Sequence, residues 1–291
     1  MNKLALGTAQ FGIDYGINSI SGKVKTQEIE KILHLAKSEN INLLDTAASY
    51  GDSEKILGQM DTSDFQVVTK IKHFDNLKIT DEDILIMKKD FDNSLQDLKL
   101  DSVYGLLVHN ADDLTKPGAY KILEFLQYLK NTKKINKIGV SVYENAHLNF
   151  ILQNFDIDMV QLPLNIFDRR FIDSGVIKLM YSQGIEIHAR SIFLQGLILM
   201  PNTIRHRKFN RWKEFWKIWD DWLNDNKISP LEASVRYALQ VKQISRVLVG
   251  IDSVEQLTEI VKAIPGFLPS IPDEMYIDDV LLLNPSNWDS L

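Results

Sequence analysis

The sequence predicts a closed (β/α)8 barrel, and three observations predict it. Short apolar runs of strand length alternate with longer segments of helical period, eight of each, along 291 residues. Strands that alternate with helices build a parallel sheet. Eight such units in a chain of this length match one domain over residues 1–291 rather than two. An open doubly wound sheet would instead show Gly-x-Gly-x-x-Gly after its first strand. Gly7 and Gly12 lie there without that spacing.

The elements follow in order. A strand over 3–7 precedes a helix over 26–40, where Thr26 stands ahead of Glu28 and Glu30, a hydroxyl before acidic first-turn residues. The strand 42–45 runs Leu43-Leu44 into Asp45, and Ser53 opens a helix over 53–60. Strands at 65–69, 102–108, 137–142 and 159–162 are followed by helices at 82–98, 118–130, 145–154 and 171–183. The strand 186–190 is followed by a long segment, 199–227, that breaks the rhythm. Ser229-Pro230 then starts a helix over 230–241, with proline at the first helical position. A strand over 246–249 and a helix over 253–263 complete the set. In segment 199–227, Phe209, Trp212, Phe215, Trp216, Trp219 and Trp222 recur mostly three or four apart, the mark of an extra amphipathic helix. An aromatic stripe docked on the barrel is the main reading. A lid or a subunit contact is the other, because this connection leaves the catalytic face.

Composition narrows the partners. Net charge is −6 with pI near 5.6, which argues against nucleic acid or an anionic membrane as partner. There is no cysteine, hence no disulfide, thiolate metal site or cysteine nucleophile. The opening MNKLALG is too short in apolar residues for a signal peptide, and no long apolar stretch follows. A cytoplasmic protein without metal, monomeric or homodimeric, acting on a small molecule, is expected.

Active sites of such barrels sit where strands end. Strand two ends at Asp45 with Tyr50 in its loop, strand three ends at Lys70, and strand four ends at His109. Singly, each has an ordinary explanation as a cap, a solvated charge or a packing residue. Jointly they place an acid, a base, a phenol and an imidazole on three adjacent strands. A phenol with pKa near 10 exchanges protons poorly at neutral pH, and an adjacent ammonium lowers that pKa. A half-buried lysine needs a carboxylate. The group forms a proton donor beside an oxyanion site, which suits carbonyl reduction if something else delivers hydride.

The stretch Asp45-Thr46-Ala47-x-x-Tyr50-Gly51-x-x-Glu54-x-x-x-Gly58 resembles the signature of the aldo-keto reductases. Lys70 and His109 fall where that family's remaining catalytic pair falls. The resemblance extends from LALGTAQFG through Gly139-Val140-Ser141 and Gln161–Asn165 to Ser191–Gly196 and beyond. It implies NAD(H) or NADP(H) held extended across the barrel mouth, Tyr50 as proton donor tuned by Asp45 and Lys70, and His109 orienting the carbonyl. It further implies cofactor contacts from Gly7, Thr8, Ser141, Gln161, Ser191, Leu194, Gly196, Gly250, Asp252, Ser253, Gln256 and Glu259. Candidates to meet the substrate are Phe11, Ile13, Tyr15, Phe74, Asn165 and Arg169, with the tail around Trp288 packed nearby; loop packing is an equal reading of the aromatic ones. At subgroup level the opening and the ARSIFLQGL loop resemble members associated with bacterial sugar and surface-polysaccharide pathways.

Two positions depart from the family pattern. Val142 stands where an asparagine is usual, and Arg190 where an aromatic residue stacks on the nicotinamide. Arg190 either favours the reduced cofactor, faces an anionic group, or forms an ion pair with a neighbouring loop. Asp252 occupies a place where NADP-specific members carry a cation, which tilts the choice toward NAD unless Arg246 reaches over. Two rival readings remain open at this level. One is a metal-dependent hydrolase using Asp45, His109 and His188; the other is a non-catalytic nicotinamide-binding subunit.

Overall fold

The structure, a computed structural model, describes residues 2–16 and 22–291. Eight parallel strands close on themselves in chain order, with β1 hydrogen-bonded to both β2 and β8. They are β1 Leu4–Gly7, β2 Leu43–Asp45, β3 Gln66–Ile71, β4 Val103–Val108, β5 Ile135–Ser141, β6 Met159–Pro163, β7 Glu186–Arg190 and β8 Arg246–Gly250. The helices begin with α1 Ala9–Gly12, α2 Thr26–Ser38, α3 Ser53–Leu57, α4 Asp81–Leu98, α5 Tyr120–Asn131 and α6 Asn145–Asn154. They continue with α7 Arg170–Asp173, α8 Val176–Ser182, α9 Lys213–Asn226, α10 Pro230–Gln240, α11 Val254–Ala263 and α12 Val280–Leu283. The predicted barrel is therefore present, with strand and helix ends shifted by a few residues.

Local chemistry explains the boundaries. Ser229 caps α10 in a reciprocal arrangement with Glu232, and Pro230 follows it. Thr80 and Asp83 do the same for α4. Thr26 and Ser53, read from sequence as opening residues, are the first residues of their helices, with Lys25 and Asp52 at the cap positions before them. The helix predicted over 171–183 is broken in two. Gly175 sits between α7 and α8 with φ of 77°, a left-handed backbone that a helix cannot continue through.

Two apolar layers hold the barrel. The larger lies between strands and helices. The smaller, Ala5, Leu43, Val68, Leu107, Met159 and Leu248, draws one residue from each of six strands and fills the barrel interior. Strand side chains alternate between faces, so the interior residue two places further along points into the barrel mouth. From those six positions the step leads to Gly7, Asp45, Lys70, His109, Gln161 and Gly250. The core pattern and the site pattern are one period-two pattern read at two depths.

The Trp-rich segment forms a short 3-10 stretch and α9, and its aromatic face is buried. Phe167, from the loop after β6, meets Phe215, Trp216 and Trp219 edge to face at 4.8, 5.7 and 5.0 Å. The indole N–H groups of Trp212, Trp216 and Trp222 each reach an oxygen. This is the docked stripe rather than a lid. Trp288 packs on Phe209 at 5.0 Å beneath the same segment, so the tail supports α9 and does not line the barrel mouth. No helix among the described residues is long and apolar enough to cross a membrane.

Candidate active site

The loop after β2 is positioned by close backbone packing on α1. A Cβ on Gly12 would stand 1.8 Å from the carbonyl oxygen of Tyr50, and one on Gly51, at φ of 56°, would stand 2.6 Å from that of Gly12. Only glycines let these two segments cross. Ser53 locks the crossing. Its buried hydroxyl donates to the Thr8 carbonyl at 2.9 Å and accepts from Thr46 at 3.2 Å. Glu54, inside the signature stretch, is a tie between elements. Its carboxylate accepts from Thr69 on β3 and from Ser94 on α4. Burial pushes its pKa up.

Four predicted residues then converge. The Lys70 ammonium, 1% exposed as a residue, donates to Asp45 at 2.6 Å, to the Thr46 carbonyl at 2.8 Å and to the Tyr50 hydroxyl at 3.4 Å. Burial pulls its pKa down, but Asp45 and Tyr50 outweigh that and hold it above the usual lysine value. The second Asp45 oxygen accepts from the Gln161 amide at 2.7 Å across the barrel. The His109 ring stands edge-on to Tyr50, centroids 5.8 Å apart, with Ser49 3.3 Å from Nδ1. Burial, then the Lys70 charge, lowers its pKa to about 4, so the imidazole is neutral at pH 7 and can donate one hydrogen bond.

A cleft of about 450 Å³ opens over Asp45, Tyr50 and Gln161, with Lys70 and His109 behind its lining. It runs from Asp45, Tyr50 and Gln161 along Arg190, Ser191 and Gly196, past Ser229–Leu231, to Asp252, Gln256 and Glu259. Gly7, Thr8, Tyr15 and Gly250 also line it. Within the loop after β7, Ser191, Leu194 and Gln195 have φ of 59, 47 and 53°, and Gly196 has 92°. Strained left-handed backbone at non-glycine residues clusters at functional sites. Ser253 caps α11 by accepting from the Gln256 amide.

Other predicted residues lie elsewhere. Phe11 is wholly in the core and Phe74 nearly so. The Asn165 side chain is buried, accepts from the backbone of Phe167 and Asp168, and donates to the Ser191 carbonyl. It shapes the cleft wall from behind. Ser141 and Leu194 are buried behind the lining. Arg169 stacks on Tyr276 and pairs with Asp173 and Asp273. His188 is fully buried with Nε2 on Glu186 at 2.8 Å, which separates it from Asp45 and His109. Arg246, at the start of β8, donates to the Asn2 carbonyl at the opposite end of the barrel, so it cannot serve the Asp252 region. Gln10 and Ser229–Leu231 line the cleft without having been singled out; Ser229-Pro230 carried only the signal of a helix start.

Arg190 resolves differently from each expectation based on a carboxylate partner. Its guanidinium lies 3.8 Å from the centre of the Tyr143 ring and donates to the Val142 carbonyl at 3.0 Å and the Ser191 hydroxyl at 3.2 Å. Among the described residues it forms no ion pair. At the far end, Asp252 Oδ1 is shut off from solvent without a donor, and burial raises the carboxyl pKa, with Asp14 adding to the effect. The elongated cleft fits a dinucleotide. The end near Tyr50 and Arg190, the strained loop and the Asp252 end are features that such a molecule would use.

The aldo/keto reductase family model matches residues 3–275. An L-galactose dehydrogenase of Arabidopsis thaliana is 26% identical over 262 residues, covering 85% of this chain and 81% of that protein. A glycerol dehydrogenase structure from Gluconobacter oxydans superposes with a TM-score of 0.70 at 24% identity, over 98% of this chain and 94% of that one. The holo form of an aldo-keto reductase from Bacillus halodurans gives 0.71 at 19% identity, over 92% and 88%.

Proposed function

The chain belongs to the aldo/keto reductase family and is an NAD(P)-dependent oxidoreductase, and from that premise we propose that it reduces the carbonyl of a small, sugar-like substrate with Tyr50 as proton donor. The bound cofactor supplies the hydride. As the carbonyl carbon gains that hydride, the electron pair of the C=O bond moves onto oxygen and takes the Tyr50 proton. Lys70, 3.4 Å from the phenol oxygen, stabilises the phenolate left behind, and Asp45 keeps Lys70 charged. Neutral His109 donates to the carbonyl oxygen and orients it over Tyr50.

The observation that carries this reading is the buried Lys70 ammonium fixed between Asp45 and the Tyr50 hydroxyl, the two residues of the trio that line the cleft. A sugar-like substrate is supported by the names of two relatives, a sugar dehydrogenase and a polyol dehydrogenase. Tyr50→Phe tests the role. Turnover of an aldehyde panel should fall by roughly 10²–10⁴-fold, with cofactor affinity unchanged within a few-fold. Retained turnover would remove Tyr50 as the acid. Cofactor binding by the unaltered enzyme without turnover of any carbonyl would instead favour a non-catalytic subunit.

A further inference from the structure

We propose that Arg190 makes the cleft bind reduced nicotinamide cofactor more tightly than oxidised, which sets the enzyme to work as a reductase; this rests on the function proposed above. The reaction end of the cleft holds few charges. Asp45 and Lys70 cancel, being paired at 2.6 Å. His109 is neutral at pH 7. Among the described residues Arg190 remains, a cation without a carboxylate partner on the strand beside Gln161, close enough for its charge to act on His109. The far end carries the opposite sign, with Asp252 and Glu259.

The two forms of the cofactor differ in one relevant way. The oxidised ring carries a positive charge and the reduced ring does not, while the rest of the molecule is the same. For hydride to reach a carbon whose oxygen meets Tyr50, the ring must occupy the Tyr50 end, and so lie on the side where Arg190 sits. Two like charges even ~12 Å apart in an effective dielectric of ~20 change an equilibrium about tenfold. The guanidinium cannot swing away cheaply. The Tyr143 ring, the Val142 carbonyl and the Ser191 hydroxyl hold it from three sides. A bound ring that had given up its hydride would be a cation near this fixed cation, which would favour release of the oxidised form.

The test is binding without substrate. The unaltered protein, Arg190→Gln and Arg190→Lys are titrated with reduced and with oxidised cofactor, followed by quenching of tryptophan fluorescence, and thermal melting confirms folding. The unaltered protein and Arg190→Lys should favour the reduced form by about tenfold or more. In Arg190→Gln the ratio should shrink by about tenfold, chiefly through tighter oxidised binding. Raising the salt tenfold should compress the ratio in the unaltered protein and leave it unchanged in Arg190→Gln. An unchanged ratio in Arg190→Gln overturns the proposal. So does equal weakening of both forms, which would assign Arg190 to a phosphate that both forms share. If neither form binds the unaltered protein, the proposed function itself fails.

Discussion

Asp45 and Lys70 form a 2.6 Å ion pair whose side chains are 5% and 0% exposed. They come from strands two and three, held in register by the pairing of Asp45 with Val68, two residues before Lys70. A buried pair is fragile to the loss of one partner, because the other becomes an uncompensated buried charge.

Lys70→Met should therefore lower unfolding free energy by about 3–5 kcal/mol, somewhat offset because Gln161 still donates to Asp45. Turnover should fall at least as far as in Tyr50→Phe. Chemical denaturation checks the first part, and an unaltered midpoint would contradict the pairing.

The pH dependence at His109 has a definite sign. Its pKa falls from 6.5 to about 4 on folding, so the unfolded chain binds the extra proton first. The stability linked to neutral His109 is complete above about 6.5 and is lost as pH falls toward about 4. His109→Gln should flatten the decline in melting temperature across that window. An identical decline in both proteins would show that other groups dominate.

Glu54 lies in the signature stretch but away from the reacting atoms. Glu54→Ala leaves the Thr69 and Ser94 hydroxyls without their shared acceptor. A loss of about 1–3 kcal/mol in stability is expected, with kcat per folded molecule within a few-fold of normal. A collapse of kcat in a fully folded variant would give Glu54 a chemical role.

Asp252 bears on the choice between the phosphorylated and unphosphorylated cofactor. Its carboxylate lines the cleft with an undonated oxygen, and Arg246 is engaged at the other end of the barrel. Asp252→Arg should move relative affinity toward the phosphorylated cofactor by about tenfold, the effect of one close charge change. Calorimetry with both reduced cofactors measures it. An unchanged ratio means the carboxylate does not face the ribose.

By itself the sequence determined the eightfold alternation and, through the period of two along each strand, which residues reach the barrel mouth. Asp45, Lys70 and Gln161 stand two places beyond interior Leu43, Val68 and Met159, a relation visible as spacing because strand geometry is local. Only the tertiary structure decided depth and direction. Phe11, Phe74 and Asn165 looked like rim residues but turned inward, since loop side chains follow packing that arises from distant segments. Arg190 found Tyr143, and Arg246 went to the opposite end, because barrel closure sets which end of a strand meets the cleft. Gly12 and Gly51 had no periodic signal at all; their necessity comes from two backbones crossing at less than the width of a side chain.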